Sequence, residues 1–437
     1  MKIGILGAGL TGLELGRCLR RRGIDFVIFE KEAQIGGLAR TIKTGDYYWD
    51  LGVHAMYSKD KNITDHYLSL PLKYQHSRRD VRIYHTENNK FYLVDYPFEE
   101  GVRDLPLNHR MECVHGYIKT RMKGRKDFAH LKDWIDNCLG YGIAKHFMTP
   151  YNNKIWNCDL EYISMDLVSA KITPAPVKDF LLAALGKKVV GRRYQAKFIY
   201  PLDGIQAFVD ETARSFLNQI RCDSAVVELE KAEEKWRIVC ENGQVEEVDR
   251  IVSTMPLVEL LKIIENPAVE REYDVLKWND THFVMIGLKE GCAFNVMRQC
   301  HWGFFKEDEI FYRITMMRNF SEKFLPAMVA EITNKGHYTS LNEEDIKARV
   351  IEDLLRCRII EKEDDIAAVE LRFVPHTYPI PTVGVQKVKN ALTDILQQEH
   401  IYLLGRNGHW DYINMDGVLQ KVKAFMRTQF EEGRMLE

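Results

Sequence analysis

Hydrophobic and polar residues at the start of the chain follow strand spacing, then helix spacing, then strand spacing again. Lys2–Leu6 is a short apolar run typical of a buried strand, and the glycine-rich segment 7–12 follows it directly. Residues 13–22 have helical spacing and end before a glycine, a common helix stop. Asp25–Phe29 is a second apolar run, which ends in Glu30. This pattern predicts a strand, a tight turn, a helix and a parallel strand in one short unit.

The pattern changes several times along the rest of the chain. Segment 62–126 is irregular, and the dipeptide Asn242-Gly243 is a strong hairpin signal between two apolar runs. Further helices are predicted at 128–147, 177–185, 342–358 and 418–430, and further strands at 41–53, 225–230, 236–240, 245–254, 282–288, 301–305, 310–316 and 401–404.

The composition is that of a soluble globular protein, with 46% hydrophobic and 28% charged residues in a chain of 437. This length predicts two to three domains. The 61 basic and 63 acidic residues give a net charge of -2, which provides no electrostatic reason to expect a nucleic-acid partner. No apolar run is long enough for a membrane span.

Cysteine and histidine spacing gives no sign of disulfides or metal. The nine cysteines are scattered and form no C-x-x-C pair, so we expect reduced thiols and a cytoplasmic location. The 14 histidines do not cluster along the chain. The sequence therefore predicts no metal site.

The first glycine-rich turn has the spacing of a dinucleotide site. Gly7 allows a tight turn, Gly9 lets the backbone approach a pyrophosphate, and Gly12 permits close packing of helix on strand. The N-terminus of the following helix offers unpaired N–H groups to phosphate. Glu30 follows Gly12 by 18 residues, where a carboxylate can accept both ribose hydroxyls of an adenosine. A plain α/β turn without ligand is the alternative.

A second glycine pair, Gly36-Gly37, and Arg40 follow Glu30 closely. The glycines bring backbone near the ligand again, and an arginine here can reach a phosphate. At this point the sequence resembles the FAD-dependent superfamily of amine oxidases, protoporphyrinogen oxidases and UDP-galactopyranose mutases. The resemblance implies that both glycine motifs bind FAD.

This resemblance and the segmented pattern predict an α/β fold (α+β overall). A Rossmann-like FAD-binding domain is assembled from residues 1–60, 200–265 and 395–437. Residues 61–199 are expected to form a mostly helical substrate or cap region. Residues 266–394 are expected to form an antiparallel substrate-domain sheet with an amphipathic helix.

Two more positions resemble cofactor contacts of this superfamily. His54, in the segment Asp50-Leu51-Gly52-Val53-His54, corresponds to a histidine beside the isoalloxazine ring; an ordinary polar core histidine is the alternative. Val226 corresponds to a valine whose backbone contacts adenine, and it is also a plain strand valine.

Segments 150–156 and 405–416 resemble UDP-galactopyranose mutase and its relatives most closely. The resemblance implies that Arg406 lies between flavin and substrate diphosphate, and that Tyr412 contacts the diphosphate. It also implies flavin contacts from Gly405, Met415 and Asp416, and substrate contacts from Tyr151, Trp156 and Trp410. Asp416 is equally suited to cap a helix, and Tyr151 and Trp156 to fill a core.

The chain departs from the mutase pattern at two positions. Lys171 stands where a second diphosphate-binding arginine is expected, and lysine lacks the bidentate fork. Arg192, Arg193 or Arg313 is a candidate substitute. Trp410 stands where a tyrosine is usual.

The resemblance leads to two functional hypotheses. In the first, the enzyme interconverts pyranose and furanose forms of a nucleotide sugar through an adduct at N5 of reduced flavin. His54 would then lie at the flavin, and Arg406, Tyr412, Lys171 and Arg313 on the diphosphate side. NAD(P)H is an external reductant to consider, and a homodimer is one option for assembly.

In the second hypothesis, an oxidoreductase of the amine oxidase or protoporphyrinogen oxidase kind oxidises a small molecule by hydride transfer to FAD. This reaction needs an aromatic cage beside the flavin, for which Trp49, His54, Trp302 and Tyr378 are candidates. A flavin-binding protein without turnover is the third interpretation.

Overall fold

The computed structural model describes residues 1–52, 54–124, 127–171, 175–189, 197–264, 275–292 and 300–431, without the side chains of residues 169–171 and 337. The strands are β1 (Lys2–Leu6), β2 (Asp25–Phe29), β3 (Thr41–Thr44), β4 (Tyr47–Asp50), β5 (Tyr74–Arg78), β6 (Val81–Glu87), β7 (Lys90–Asp95), β8 (Lys197–Pro201), β9 (Ile220–Arg221), β10 (Val226–Ala232), β11 (Lys235–Cys240), β12 (Val245–Val248), β13 (Arg250–Ser253), β14 (Lys277–Leu288), β15 (Trp302–Phe304), β16 (Arg313–Met316), β17 (Ala327–Thr333), β18 (Ile366–Ile380) and β19 (Ile401–Leu403). The α-helices are α1 (Leu10–Arg22), α2 (Lys61–Ser69), α3 (Phe98–Gly101), α4 (Leu107–Lys123), α5 (Leu131–Trp134), α6 (Tyr141–Ile143), α7 (Thr149–Ile155), α8 (Asp166–Lys171), α9 (Val177–Ala184), α10 (Ile205–Ala213), α11 (Leu257–Ile263), α12 (Glu343–Arg356), α13 (Val385–Gln398), α14 (Gly405–Gly408) and α15 (Met415–Met426).

A five-stranded parallel sheet carries the predicted N-terminal unit. Its strand order is β19-β13-β1-β2-β9, so β1 lies at the centre with β2 on one side and β13 on the other. The strands are almost completely buried, which explains why they are continuous apolar runs. The carboxyl ends of β1, β2, β13 and β19 therefore meet along one edge, the usual position of a ligand in such sheets.

A seven-stranded sheet in the order β18-β14-β17-β16-β15-β6-β7 forms the second large layer. Its neighbours are antiparallel except for β15 and β6, which run parallel. A separate three-stranded sheet, β10-β11-β12, contains the predicted hairpin at Asn242-Gly243. The α/β class with a discontinuous parallel sheet is confirmed, whereas the domain boundaries stay a prediction.

The predicted helix at 128–147 is broken into short pieces. Helices α5 and α6 alternate with wider helical turns at Ile135–Leu139 and Ala144–Met148. Gly140 interrupts the run with a φ of 85°. The interruption follows from the crossing of α6 over α4, where the two backbones come too close for side chains.

Several long elements were not apparent from the sequence pattern. The segment interpreted as irregular contains α2, α4 and the strands β5 to β7. Strand β18 is 15 residues long, but its exposure pattern shows no regular alternation, so periodicity could not reveal it. The helices α1 and α15 begin three residues earlier than predicted, at Leu10 and Met415.

Two further expectations from the sequence concern membrane-spanning helices and disulfide bonds. No helix within the described ranges is long and apolar enough to cross a membrane. The structure shows no disulfide bond among the described residues, and we expected reduced thiols.

We predict that Gly142→Ala destabilises the protein by about 2–3 kcal/mol, because an added Cβ would overlap the backbone of Cys113 in α4. Gly124→Ala is the control. This glycine ends α4 with a φ of 63° and has no atom within 4 Å of an added Cβ, so only about 1 kcal/mol is expected. Chemical denaturation measures both changes. Equal shifts of the midpoint would show that the crossing tolerates a methyl group.

Candidate active site

The first glycine turn follows β1 and leads directly into α1. Gly7 has a φ of 102°, which favours glycine, and its N–H donates to the carbonyl oxygen of Phe29 at 2.8 Å. A Cβ at Gly12 would overlap the carbonyl oxygen of Gly7, so helix and turn are in direct contact. Gly9 caps α1 without a side-chain hydrogen bond. The N–H groups of the first helical turn are thus left for a ligand.

The second glycine turn packs on the first. The N–H of Gly36 donates to the carbonyl oxygen of Ala8 at 2.8 Å, and a Cβ at Gly37 would lie 3.1 Å from the Cα of Gly9. A Cβ added at Gly9 would have the Cα of Gly37, at 3.9 Å, as its nearest described neighbour, so there is open space beside Gly9. Arg40 donates from Nε to the carbonyl oxygen of Gly37 at 2.7 Å. The two turns form a surface of bare backbone that suits a pyrophosphate.

Glu30 lies buried at the end of β2, beside this surface. Its Oε2 accepts the N–H of Ala8 at 2.8 Å, and its Oε1 accepts the N–H of Glu32 at 3.1 Å. Each carboxylate oxygen can accept a further hydrogen bond, as two ribose hydroxyls would require.

A shallow cavity of about 280 Å³ lies beside the start of β10, next to the residue that follows Glu30. Lys31, Asp223, Ala225, Glu241 and Asn242 line it. Val226, the first residue of β10, pairs with Cys240 and is half-buried. The backbone around Val226 could therefore hold the adenine end of a dinucleotide.

The C-terminal motif returns to the same edge of the parallel sheet. Leu404 donates its N–H to the carbonyl oxygen of Ser253 at 3.0 Å, and Gly405 follows with a φ of 87°. A Cβ at Gly405 would overlap the side chain of Thr11 in α1. The residue after Gly405 is Arg406, which is thereby placed close to the first glycine turn.

Arg406 has buried donors without partners. Its guanidinium lies 4.6 Å from the ring centroid of Tyr378 and 5.3 Å from that of Tyr412. Nη1 donates to the carbonyl oxygen of Ile413 at 3.3 Å, but Nε and Nη2 have no hydrogen-bond partner among the described residues. Unmet charged donors in a buried position are costly, and an anionic group would satisfy them.

Aromatic residues and Arg313 surround this guanidinium. Trp156 contacts Tyr412 edge-on with 5.5 Å between the rings, and its Nε1 donates to Asn152 at 3.1 Å. Tyr378 accepts a hydrogen bond from Nη2 of Arg313 at 3.0 Å. The structure thus brings Arg406, Tyr412, Trp156 and Arg313 together, as the mutase-like hypothesis requires.

Tyr151 lies next to this group within an aromatic stack. Its ring is 4.9 Å from Phe147 and 5.1 Å from Phe304. Burial raises the pKa of Tyr151 well above its usual range, and that of Tyr412 to about 12. Arg406 opposes the shift at Tyr412, but both phenols remain protonated at neutral pH.

Arg313 differs from Arg406 because its fork is already occupied. Nε and Nη2 donate to the two carboxylate oxygens of Glu331 at 2.8 and 2.6 Å, and Glu331 is fully buried. Burial alone would lower the pKa of Arg313, but Glu331 raises it well above its usual range. This ion pair leaves Arg313 less available for a diphosphate than the sequence suggested.

His54 and the start of α15 lie along the same side of the site. Nδ1 of His54 is 3.8 Å from the buried carboxylate of Asp50, which also accepts a hydrogen bond from Tyr200 at 2.7 Å. Asn414 donates to the hydroxyl of Tyr57 just before α15. Met415 and Asp416, the first residues of that helix, are buried.

Other predicted residues are not brought into this group. Trp410 packs 6.2 Å from Trp278, in the core beneath the motif. Trp49, suggested for an oxidase cage, is fully buried and stacks on Tyr47 at 5.7 Å. The side chain of Lys171, as well as Arg192 and Arg193, lies outside the described residues.

Thr254 supports the first glycine turn but was overlooked in the sequence. Thr254 donates to the carbonyl oxygens of Leu6 and Gly7 at 2.9 and 3.1 Å, which fixes the first turn. Its position directly after β13 was the available signal, because the ends of parallel strands meet at one edge.

Comparison with known proteins agrees with this geometry. The family profile of the flavin-containing amine oxidoreductases matches residues 10–420 of the chain. The chain therefore belongs to this family, and it is an FAD-dependent enzyme of the amine oxidase superfamily.

Three relatives illustrate the range of this similarity. The crystal structure of reduced UDP-galactopyranose mutase superposes with a TM-score of 0.88 at 23% identity, covering 98% of this chain and 95% of the other. A candidate protoporphyrinogen oxidase from Exiguobacterium sp. 255-15 has a TM-score of 0.78 at 14% identity, covering 99% of both chains. The mitochondrial protoporphyrinogen oxidase of Nicotiana tabacum is 22% identical over 300 residues, which are 59% of this chain and 58% of the relative.

We predict that Glu30→Gln weakens FAD binding about 10-fold or more, because an amide cannot accept all the hydrogen bonds of the carboxylate. Asp25→Asn is the matched control, since this exposed carboxylate lies at the opposite end of β2. Reconstitution of the apoprotein with FAD gives both affinities. An unchanged affinity in Glu30→Gln would remove Glu30 from the cofactor site.

Replacement of Arg313 should act mainly on stability. Arg313→Ala leaves the carboxylate of Glu331 buried without its counter-charge, which typically costs about 3–5 kcal/mol. The double variant Arg313→Ala/Glu331→Ala should recover part of this loss, and thermal unfolding measures both. A fully stable Arg313→Ala variant that has lost activity would instead assign Arg313 to the reaction.

Proposed function

We propose that the protein is a nucleotide-sugar mutase, which interconverts pyranose and furanose forms of its substrate with reduced FAD. The observation that carries the proposal is the pair of unpartnered, buried nitrogens on Arg406, held between Tyr378 and Tyr412. The strong similarity in fold to UDP-galactopyranose mutase supports it.

A diphosphate is well matched to these donors. The planar guanidinium offers two parallel N–H groups to phosphate oxygens, and its stacking on tyrosine rings limits its movement. The phenol of Tyr412 stays protonated and can donate to the same anion. Lys171 adds a cation in our proposal, and Tyr151 and Trp156 contribute to the substrate side, whereas Trp410 lies in the core beneath.

The same feature argues against an ordinary amine substrate. An amine is largely cationic at neutral pH, and a buried guanidinium would repel it in a medium of low dielectric constant. The aromatic cage suggested for oxidation is also incomplete, because Trp49 is fully buried in the core.

In our proposal the two glycine turns and the C-terminal motif hold the cofactor. We assign FAD to Gly7, Gly9, Gly12, Glu30, Gly37, Arg40, His54, Val226, Gly405, Arg406, Met415 and Asp416. When reduced, the bound flavin supplies the nucleophile for the anomeric carbon. The residues of the chain then hold the diphosphate in place and exclude water, and no protein nucleophile is required.

Oxidation of an anionic reduced substrate is the second candidate function. The similarity to protoporphyrinogen oxidases favours it, and Arg406 would serve a carboxylate as well as a phosphate. The mutase requires reduced flavin and returns it unchanged, whereas the oxidase consumes an oxidant. NAD(P)H is our proposed reductant for the mutase, and the cytoplasmic location and homodimer stay predictions.

An anaerobic assay with chemically reduced flavin separates these functions. The protein is incubated with a panel of nucleotide sugars, and we expect one substrate to give a product of equal mass and altered retention. Oxidised flavin should give no isomer. Absence of an isomer from every sugar, together with flavin reduction by an anionic substrate, would overturn the mutase proposal and favour the oxidase.

Arg406→Ala tests the residue on which the proposal rests. We predict a loss of about 100-fold or more in kcat/KM, measured on the FAD-saturated protein, because removal of one preorganised charged donor typically has this effect. Arg214→Ala, just after α10, is the matched control and should behave as wild type, because the side chain of Arg214 is 72% exposed. Retained turnover in Arg406→Ala would exclude the proposed role.

A further inference from the structure

Three histidines far apart in the sequence converge outside the flavin site. His85 lies on β6, His109 on α4, and His146 on the helical turn Ala144–Met148. One ring nitrogen of each lies within 4.8 Å of those of the other two. We call this group the histidine cluster.

The rings of the histidine cluster are close and differently oriented. Nε2 of His85 is 2.9 Å from Nδ1 of His109. The rings of His109 and His146 stack with 4.0 Å between centroids, and that of His85 is 5.8 Å from His146 at a steep angle. Ligand nitrogens around one metal ion are separated by similar distances, so only small movements of the rings are needed for all three to bind.

Two carboxylates hold the outer side of the cluster. Oε1 of Glu87 is 3.2 Å from Nε2 of His109, and Oε2 of Glu112 is 2.7 Å from Nε2 of His146. A carboxylate on the far nitrogen of an imidazole is the usual means of orienting a metal-binding histidine. With Nε2 of His109 on Glu87, its Nδ1 is left to face the centre of the cluster.

Two of the three imidazoles are shielded from solvent. His85 and His146 are almost fully buried, at 1% and 5% exposure, and Nδ1 of His85 has no hydrogen-bond partner among the described residues. Neutral imidazole has the free lone pair that a metal requires. The side chain of Glu112 is 37% exposed and marks the side from which an ion can enter.

The surrounding charge is compatible with a divalent cation. Glu87 and Glu112 bring two negative charges to the outer nitrogens. Lys145 neutralises part of this charge through its ion pair with Glu112 at 3.0 Å. Lys306 is also near His85, but it is paired with Glu307.

We propose that His85, His109 and His146 bind a divalent transition metal ion, with Glu87 and Glu112 orienting His109 and His146 from the outer side. Three imidazole nitrogens form a borderline-soft donor set, which suits zinc better than magnesium or calcium. A hydrogen-bonded packing of neutral histidines would account for the contact of His85 with His109. It would not explain why a third ring and two orienting carboxylates converge there.

The position of the cluster indicates a structural role. Phe147 follows His146 directly and stacks on Tyr151 of the candidate substrate side at 4.9 Å. A metal ion would tie β6, α4 and the turn Ala144–Met148 to one point and so fix this wall of the pocket. The site does not depend on the proposed mutase activity, and its test uses no activity measurement.

The test measures zinc binding by the FAD-loaded protein after treatment with a chelator. We expect one zinc ion per chain by elemental analysis and by competition with a chromophoric chelator, and a raised Tm on adding zinc. Cobalt(II) should give the absorption bands of a low-coordinate nitrogen site at wavelengths beyond the flavin spectrum.

Variants locate the ion. His109→Gln, whose ring is partly exposed, should bind zinc about 100-fold or more weakly, and Glu112→Gln about 10- to 100-fold more weakly. His115→Gln is the matched control, because this exposed histidine lies on the same helix and should bind as wild type. His85→Gln serves as a second ligand variant if it folds.

Two results would overturn the proposal. The first is a folded, chelator-treated wild type that takes up no zinc. The second is zinc uptake that is unchanged in both His109→Gln and Glu112→Gln, which would place the ion on cysteines or elsewhere. Weakened binding in both variants with unchanged binding in His115→Gln supports it.

Discussion

Direct backbone contact at the start of α1 is the constraint on which the rest of the molecule depends. Helix and turn meet at Gly12 and Gly7, and the C-terminal motif meets the same helix at Gly405, beside Thr11. Side chains at these glycines would separate the three segments. Because glycine has no side chain, the N-terminus of α1 and Arg406 are held at the same edge of one parallel sheet.

This arrangement gives the site a positive electrostatic potential. In the described part of the chain, no acidic side chain is in contact with Arg406. The N-terminus of α1 contributes a partial positive charge and Arg406 a full positive charge. Neither is paired with a carboxylate among the described residues. Glu30 uses its oxygens on the backbone at the opposite end of the turn. Anionic ligands are therefore favoured at two positions, the N-terminus of α1 and the guanidinium of Arg406.

Features formed by residues close together in the sequence could be predicted, whereas those formed by residues from distant segments could not. The glycine turns and Glu30 lie within one short unit, so their spacing carried enough information, and the family and fold class are confirmed. The histidine cluster joins residues 24 and 37 positions apart on three elements, which no local pattern encodes. The long strand β18 was missed because it is half-buried without regular alternation.

Arg313 and Arg406 show why the sequence alone could not separate the residues of the candidate site from structural ones. Both are arginines near strand ends, and both were assigned to the diphosphate from the sequence. Glu331, on the neighbouring strand β17, occupies the fork of Arg313, while the fork of Arg406 meets, among the described residues, aromatic rings and one carbonyl oxygen. A buried charge without a counter-ion is costly, and an anionic ligand would offset that cost. The difference in partners, rather than residue type, thus separates the structural arginine from the candidate anion-binding one.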